Sequence, residues 1–190
     1  MSSRTAALPA LSLEATRTAA DLADSRQRLE AEVVALFDQF RDPLLRYLAS
    51  VGLPFADGEE VVQEVFLSLF RHMEQDKPRD HLRGWLFRVA HNLALKRRYR
   101  ARRDFEVCSG AADLAIDPSP NPEARLANHQ THQRLLAVVE ALPRQDRRCL
   151  ALRAEGLRYR EIAGVLGMSL GSVSLSLARS LARIARATGR

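Results

Sequence analysis

Eight cations, Arg83, Arg88, Lys96, Arg97, Arg98, Arg100, Arg102 and Arg103, fall in one stretch that contains no acid. Charge at that density neutralises several phosphates, which points to a polyanion and to strongly salt-dependent binding. A solvated helix end, where cations also favour the negative dipole terminus, is the plainer reading of the same run. Asn92 lies mid-helix beside His91, where asparagine has poor propensity, and a specific hydrogen bond would justify it as well as simple exposure. Trp85 sits on an apolar stripe, a position that aromatic side chains most often occupy as core.

A second stretch, Tyr159 to Val173, has the parts of a helix-turn-helix. Ala163 is small where two helices would cross, Gly167 can take a left-handed turn, and Ile162, Leu166, Met168 and Val173 can lock the crossing. Ser169 can cap the second helix, whose first turns would then enter the major groove. A plain helical hairpin with Gly167 as its C-cap fits the same residues. The acidic set Asp57, Glu59, Glu60, Gln63 and Glu64 repels DNA and belongs to a protein partner or to solvent.

Bond-making chemistry finds no support. The five histidines, His72, His81, His91, His129 and His132, show no metal-ligand spacing, and no glycine-rich phosphate loop is present. No catalytic residue, metal or cofactor is therefore expected, and an enzyme is the weakest reading. Cys149 sits in an apolar stripe, while Cys108 has no evident activating neighbour. The N-terminal residues carry Arg4, Glu14, Arg17 and Asp21 among their apolar stretches, so neither a secretory core nor a membrane span is expected. The cytosol fits best, and the net charge of +6 suits a nucleic-acid partner.

The elements that must carry these residues are helices. Glycine and proline are scarce, at 9 and 8 of 190 residues, and long segments are rich in leucine, alanine, arginine and glutamate. Residues 1–24 suggest a loosely ordered extension. From Ser25 the residues Leu29, Val33, Leu36, Phe37 and Phe40 mark one amphipathic helix, and Asp42-Pro43 opens a second one through Leu44, Leu45, Tyr47 and Leu48. A third helix, Asp57 to Gln75, buries Val61, Val62, Val65, Phe66, Leu69 and Phe70. A fourth, from about Arg79 to Arg103, carries Leu82, Trp85, Leu86, Val89, Ala90 and Leu93.

Periodicity then stops, and the proline-rich stretch Asp117 to Pro122 marks residues 104–122 as a flexible linker. Helical pattern resumes at about Glu123, breaks at Pro143 and Gly156, and ends in the helix-turn-helix. The expected fold is all-α: a four-helix domain over 25–103 and a smaller helical domain over 123–190. Beyond the N-terminal extension no fused sensor is expected.

With both halves in view, the chain resembles the extracytoplasmic-function sigma factors of RNA polymerase from about Leu29 to Ala187. Glu60-Val61-Val62-Gln63-Glu64-Val65-Phe66 is similar to the family's core-binding Asp-x-Val-Gln-Glu-x-Phe signature, with Glu60 in place of the usual Asp. The resemblance implies that Asp57, Glu60, Gln63, Glu64 and Phe66 serve core polymerase binding. Arg83 to Leu93 is similar to the Trp-Leu-x-x-Ile-Ala-x-Asn segment that reads the minus-ten promoter element. That likeness implies Arg83, Trp85, Arg88, Asn92, Lys96 and Arg97 as DNA contacts, with the loop Asp76 to His81 capturing a base flipped from the nontemplate strand.

The second half is similar to region four, which reads the minus-thirty-five element. The resemblance implies Arg158, Tyr159, Ser169, Ser172, Ser174, Ser176 and Arg179 as its contacts, with Arg160 and Arg183 adding phosphate charge. Family members often place Lys or Arg early in the recognition helix, where this chain has serines and leucines. Contact there is expected to be modest in strength or hydrophobic in character. The implied partners are core RNA polymerase, promoter DNA and a separate anti-sigma protein, with no membrane and a monomer when free. The competing readings are a stand-alone helix-turn-helix regulator, commonly a dimer on a palindrome, and a helical adaptor whose arginines are merely solvated.

Overall fold

A computed structural model describes residues 10–75, 77–78, 80–108 and 126–187, with side chains over 21–103 and 133–187 apart from Leu22, Asp76 and Arg79. Its first helix, α1, runs unbroken over Ala10–Ser50 with Pro43 inside it. The expected restart at Asp42-Pro43 is therefore wrong, and the backbone of 10–24, expected to be loosely ordered, is helical. The apolar positions explain the continuity: Phe37, Phe40, Leu44, Tyr47, Leu48 and Val51 keep one three-and-four spacing across the proline. Burial of that face outweighs the lost N–H donor, because Leu44, Tyr47 and Leu48 are essentially inaccessible.

Gly52, in the left-handed region at φ 81°, turns the chain into α2 (Phe55–Glu74). The helix α3 (Leu82–Cys108) follows, so the first domain has three long helices rather than four. Helix α3 continues past Arg103, where the linker was expected to begin. The remaining linker residues, 109–122, and the expected resumption at Glu123 lie outside the described residues. The second domain contains α4 (Leu126–Glu140), α5 (Arg144–Ala154), α6 (Tyr159–Leu166) and α7 (Leu170–Ala187).

Val61, Val65 and Leu69 of α2 meet Leu86, Phe87 and Ala90 of α3 around Tyr47 of α1. The Tyr47 ring lies edge-on to Phe87 at 5.6 Å, and its hydroxyl shares a hydrogen bond with His91 Nδ1 at 2.7 Å. Burial first, and then the Arg148 charge, lower the His91 pKa to about 4. In the unfolded chain histidine titrates near 6.5, so the unfolded state takes up a proton as pH falls through that value while the folded state does not. Stability is thus fully present above about 6.5 and drains away towards 4. Urea unfolding at pH 5 should show the protein about 2 kcal/mol less stable than at pH 7 from this group. His91→Gln should flatten that slope; an identical slope in both proteins would rule His91 out as its source.

The second domain packs Cys149, Leu152 and Leu157 against Ile162, Val165, Val173 and Leu177. Its apolar interior is continuous with that of the first domain, because α6 lies on α3 and α5 on α1.

Candidate nucleic-acid and polymerase interfaces

The acidic face of α2 follows from the burial of its opposite side. With Val61, Val62, Val65 and Phe66 inside, Asp57, Glu59, Glu60, Gln63 and Glu64 point outward. Arg41 of α1 holds Glu59 at 2.8 Å, and Arg97 of α3 holds Glu60 at 2.7 Å and Asp57 at 3.5 Å. Gln63 and Glu64 are exposed, and no side-chain bond ties them down among the described residues. Phe66 differs from its expectation: it is 6% exposed and packs edge-on to Phe37 at 5.0 Å. Its ring joins α1 to α2 and is not available to a partner.

Along α3 the buried stripe Leu86, Phe87, Ala90 and Ala94 leaves Arg88, Asn92 and Lys96 outside. Arg97 turns sideways to the acids of α2, so the polymerase-type and DNA-type residues meet in one ion-pair cluster. Trp85 is half-buried, with its ring 4.8 Å from that of His72. Nε2 of His72 donates to the Pro78 carbonyl at 3.1 Å, tying the loop before α3 to both helices. His81 ends that loop with φ 62°, and its carbonyl accepts from Trp85 N–H at 3.0 Å. Asp76 and Arg79 of the loop lie outside the described residues.

Arg83 and Arg88 face the second domain. Arg83 reaches the Gly156 carbonyl at 3.4 Å and lies over the Phe40 ring, while the Arg88 guanidinium rests against Gly164. Beside them Arg46 makes two bonds to Glu155, at 3.0 and 2.8 Å, and Glu155 is nearly buried. Gly84 is the contact that lets α3 and α6 meet, since a Cβ there would come within 3.2 Å of the Glu161 side chain. Of the residues expected on promoter DNA, Arg83 is thus half-buried against the α5–α6 turn, while Arg88 stays exposed and only rests against α6.

Helices α6 and α7 cross at 105° around Gly167, whose φ of 65° is the left-handed turn a helix-turn-helix requires. The backbone N–H of Ser172 donates to Ser169 Oγ at 3.1 Å, so Ser169 caps α7. Arg158, Tyr159, Ser172, Ser174 and Arg179 are exposed around this unit. Ser176 is not: it is 1% exposed, on the inward stripe with Val173, Leu177 and Ser180. Its hydroxyl donates to Asp146 Oδ1 at 2.6 Å, and Arg179 reaches the same oxygen at 3.1 Å. Burial pushes the Asp146 carboxyl up, but those two bonds outweigh it and hold the group below its usual range. Ser176 therefore orients α7 on α5 and does not face DNA. The polar Asp146 at an otherwise apolar position of α5 was the signal for this buried partnership.

Comparison with known proteins agrees with this division. The families described as Sigma-70 region 2 and Sigma-70, region 4 match residues 36–104 and 132–184. The chain is 34% identical over 119 residues to the ECF RNA polymerase sigma factor SigE of Mycolicibacterium smegmatis, covering 62% of this chain and 46% of SigE. It thus spans about half the length of that relative. With the RNA polymerase sigma factor CnrH of Cupriavidus metallidurans it shares 28% over 175 residues, covering 87% of this chain and 90% of CnrH. The fold is similar to that of the sigma factor RpoE from Bartonella quintana, solved with the anti-sigma factor NepR. The TM-score is 0.65 at 16% identity, over 82% of this chain and 96% of that one. With region 2 on its first three helices and region 4 on the helix-turn-helix domain, the chain belongs to the sigma-70 family, beside its extracytoplasmic-function members.

Proposed function

We propose that this chain is a promoter-recognition subunit of RNA polymerase. The observation that carries the reading is the joining of two opposed surfaces on one three-helix unit. Gln63 and Glu64 of α2 offer an acidic, uncommitted face to core polymerase, while Asn92, Lys96 and the arginines of α3 offer a cationic one to the minus-ten DNA. Region 4 presents α7 to the minus-thirty-five element. The chain recruits and positions; bond making belongs to polymerase, and the work takes place in the cytoplasm where polymerase acts. A separate anti-sigma protein, of the kind solved with the B. quintana relative, restrains it by covering the same surfaces.

Engagement of both elements requires the domains to part. A packed chain of this length has a radius of gyration of about 16 Å, whereas 25 base pairs run roughly 85 Å. The 17 residues between Cys108 and Leu126 reach about 60 Å when extended. Parting frees Arg83 and Arg88 from Gly156 and Gly164 at the step where DNA must be held. The direct test is titration of fluorescently labelled chain with purified core polymerase. Stoichiometric association by a monomer supports the reading. A dimer that ignores core polymerase and binds duplex DNA unaided would favour the stand-alone regulator.

A further inference from the structure

The outer face of α7 has an unusual chemistry for a helix that meets DNA. Leu170, Gly171, Ser174, Leu175 and Ala178 face solvent, with Leu170 47% and Leu175 58% exposed. From Ser169 through Ala178 there is no Arg, Lys, Asn or Gln, the side chains that make bidentate bonds to purine edges. Ser172 is already turned to Ser169, with 2.9 Å between their hydroxyl oxygens. A Cβ on Gly171 would touch nothing closer than Ser169 Oγ at 4.0 Å, so packing does not require glycine there. What its absent side chain provides is close approach of the helix to whatever lies outside.

The occupant follows from the flanking charge. Arg158 and Arg160 at the start of α6, and Arg179, Arg183 and Arg186 on the later turns of α7, are all exposed, so the uncharged stretch lies between exposed cations along the chain. A protein core would be left facing those charges, whereas duplex DNA supplies phosphates to the cations and base edges to the stretch between them. In the major groove the one apolar base-edge group is the thymine C5-methyl. We propose that α7 reads its promoter element through thymine methyl groups, with Leu175 and Leu170 contacting them and Ser174 supplying the hydrogen bond. This rests on the reading of α7 as the minus-thirty-five helix and names the chemistry by which it selects sequence.

The test uses the full chain with core polymerase on a promoter recovered by mapping transcript starts. Thymines of the upstream element are replaced one at a time by deoxyuridine, which keeps the pairing and removes only the methyl. Wild-type holoenzyme should lose about fourfold in initiation for each contacted methyl. Leu175→Ala, at an exposed position that leaves folding intact, should initiate more weakly and no longer distinguish thymine from uracil at its contact. Insensitivity of wild type to every uracil, while transversions at the same pairs abolish initiation, overturns methyl readout. Silent uracils with a crippled Leu175→Ala also overturn it and assign this face to a protein. Insensitivity even to transversions overturns the minus-thirty-five reading itself.

Discussion

Replacing Gln63 and Glu64 together by alanine should weaken association with core polymerase by roughly thirtyfold, about 2 kcal/mol, while leaving thermal unfolding unchanged. Both side chains are exposed on α2, and neither is bonded by another side chain among the described residues, so removing them costs the isolated fold little. Their neighbours cannot serve the same purpose. Glu59, Glu60 and Asp57 are held by Arg41 and Arg97, and changing any of them would also release a cation into the surface. Anisotropy of labelled protein titrated with core polymerase checks the double substitution. Unaltered affinity would remove this face from the polymerase interface.

Reversing the charge of Arg46 should open the molecule. Arg46→Glu converts the two bonds to Glu155 into a repulsion at the seam between the domains. Arg46 itself is largely exposed and the pair is discounted accordingly. An effect of about 1 kcal/mol still shifts the closed–open balance roughly fivefold towards the open form. Solution scattering should report a radius of gyration rising above about 16 Å, and a single-stranded minus-ten oligonucleotide should bind more tightly as Arg83 is uncovered and Arg88 leaves α6. Adding Glu155→Arg restores the opposite pair and should reverse both changes. An unchanged radius would mean that the apolar contact of α6 with α3 holds the seam without the ion pair.

The all-helical fold, the two domains and the helix-turn-helix were legible in the chain because each rests on local periodicity and turn chemistry. Pro43 misled because proline is a strong local punctuation mark, whereas the buried stripe from Phe37 to Val51 depends on what packs against it. The apolar spacing already put Phe66 on the inner face with Val61, Val62 and Val65, and only the resemblance gave it a partner, whereas Ser176 was grouped with Ser172 and Ser174, which do face outward. Their inward orientation is set by helical phase against Phe37 and Asp146, one on each neighbouring helix. The seam was illegible altogether. Arg46 and Glu155 stand 109 residues apart, and no local pattern pairs an arginine of α1 with the turn after α5. Cations read as free for DNA were in part committed to the protein's own surface, as Arg97 is to Asp57 and Glu60.

Whether this chain directs polymerase to promoters is decided by sequencing the transcripts of a genomic fragment library. Purified core polymerase is run with and without the full chain. New starts should appear only with the chain and share two upstream elements about 25 base pairs apart, roughly 85 Å along the duplex. Identical start sites in both reactions would contradict a promoter-directing role.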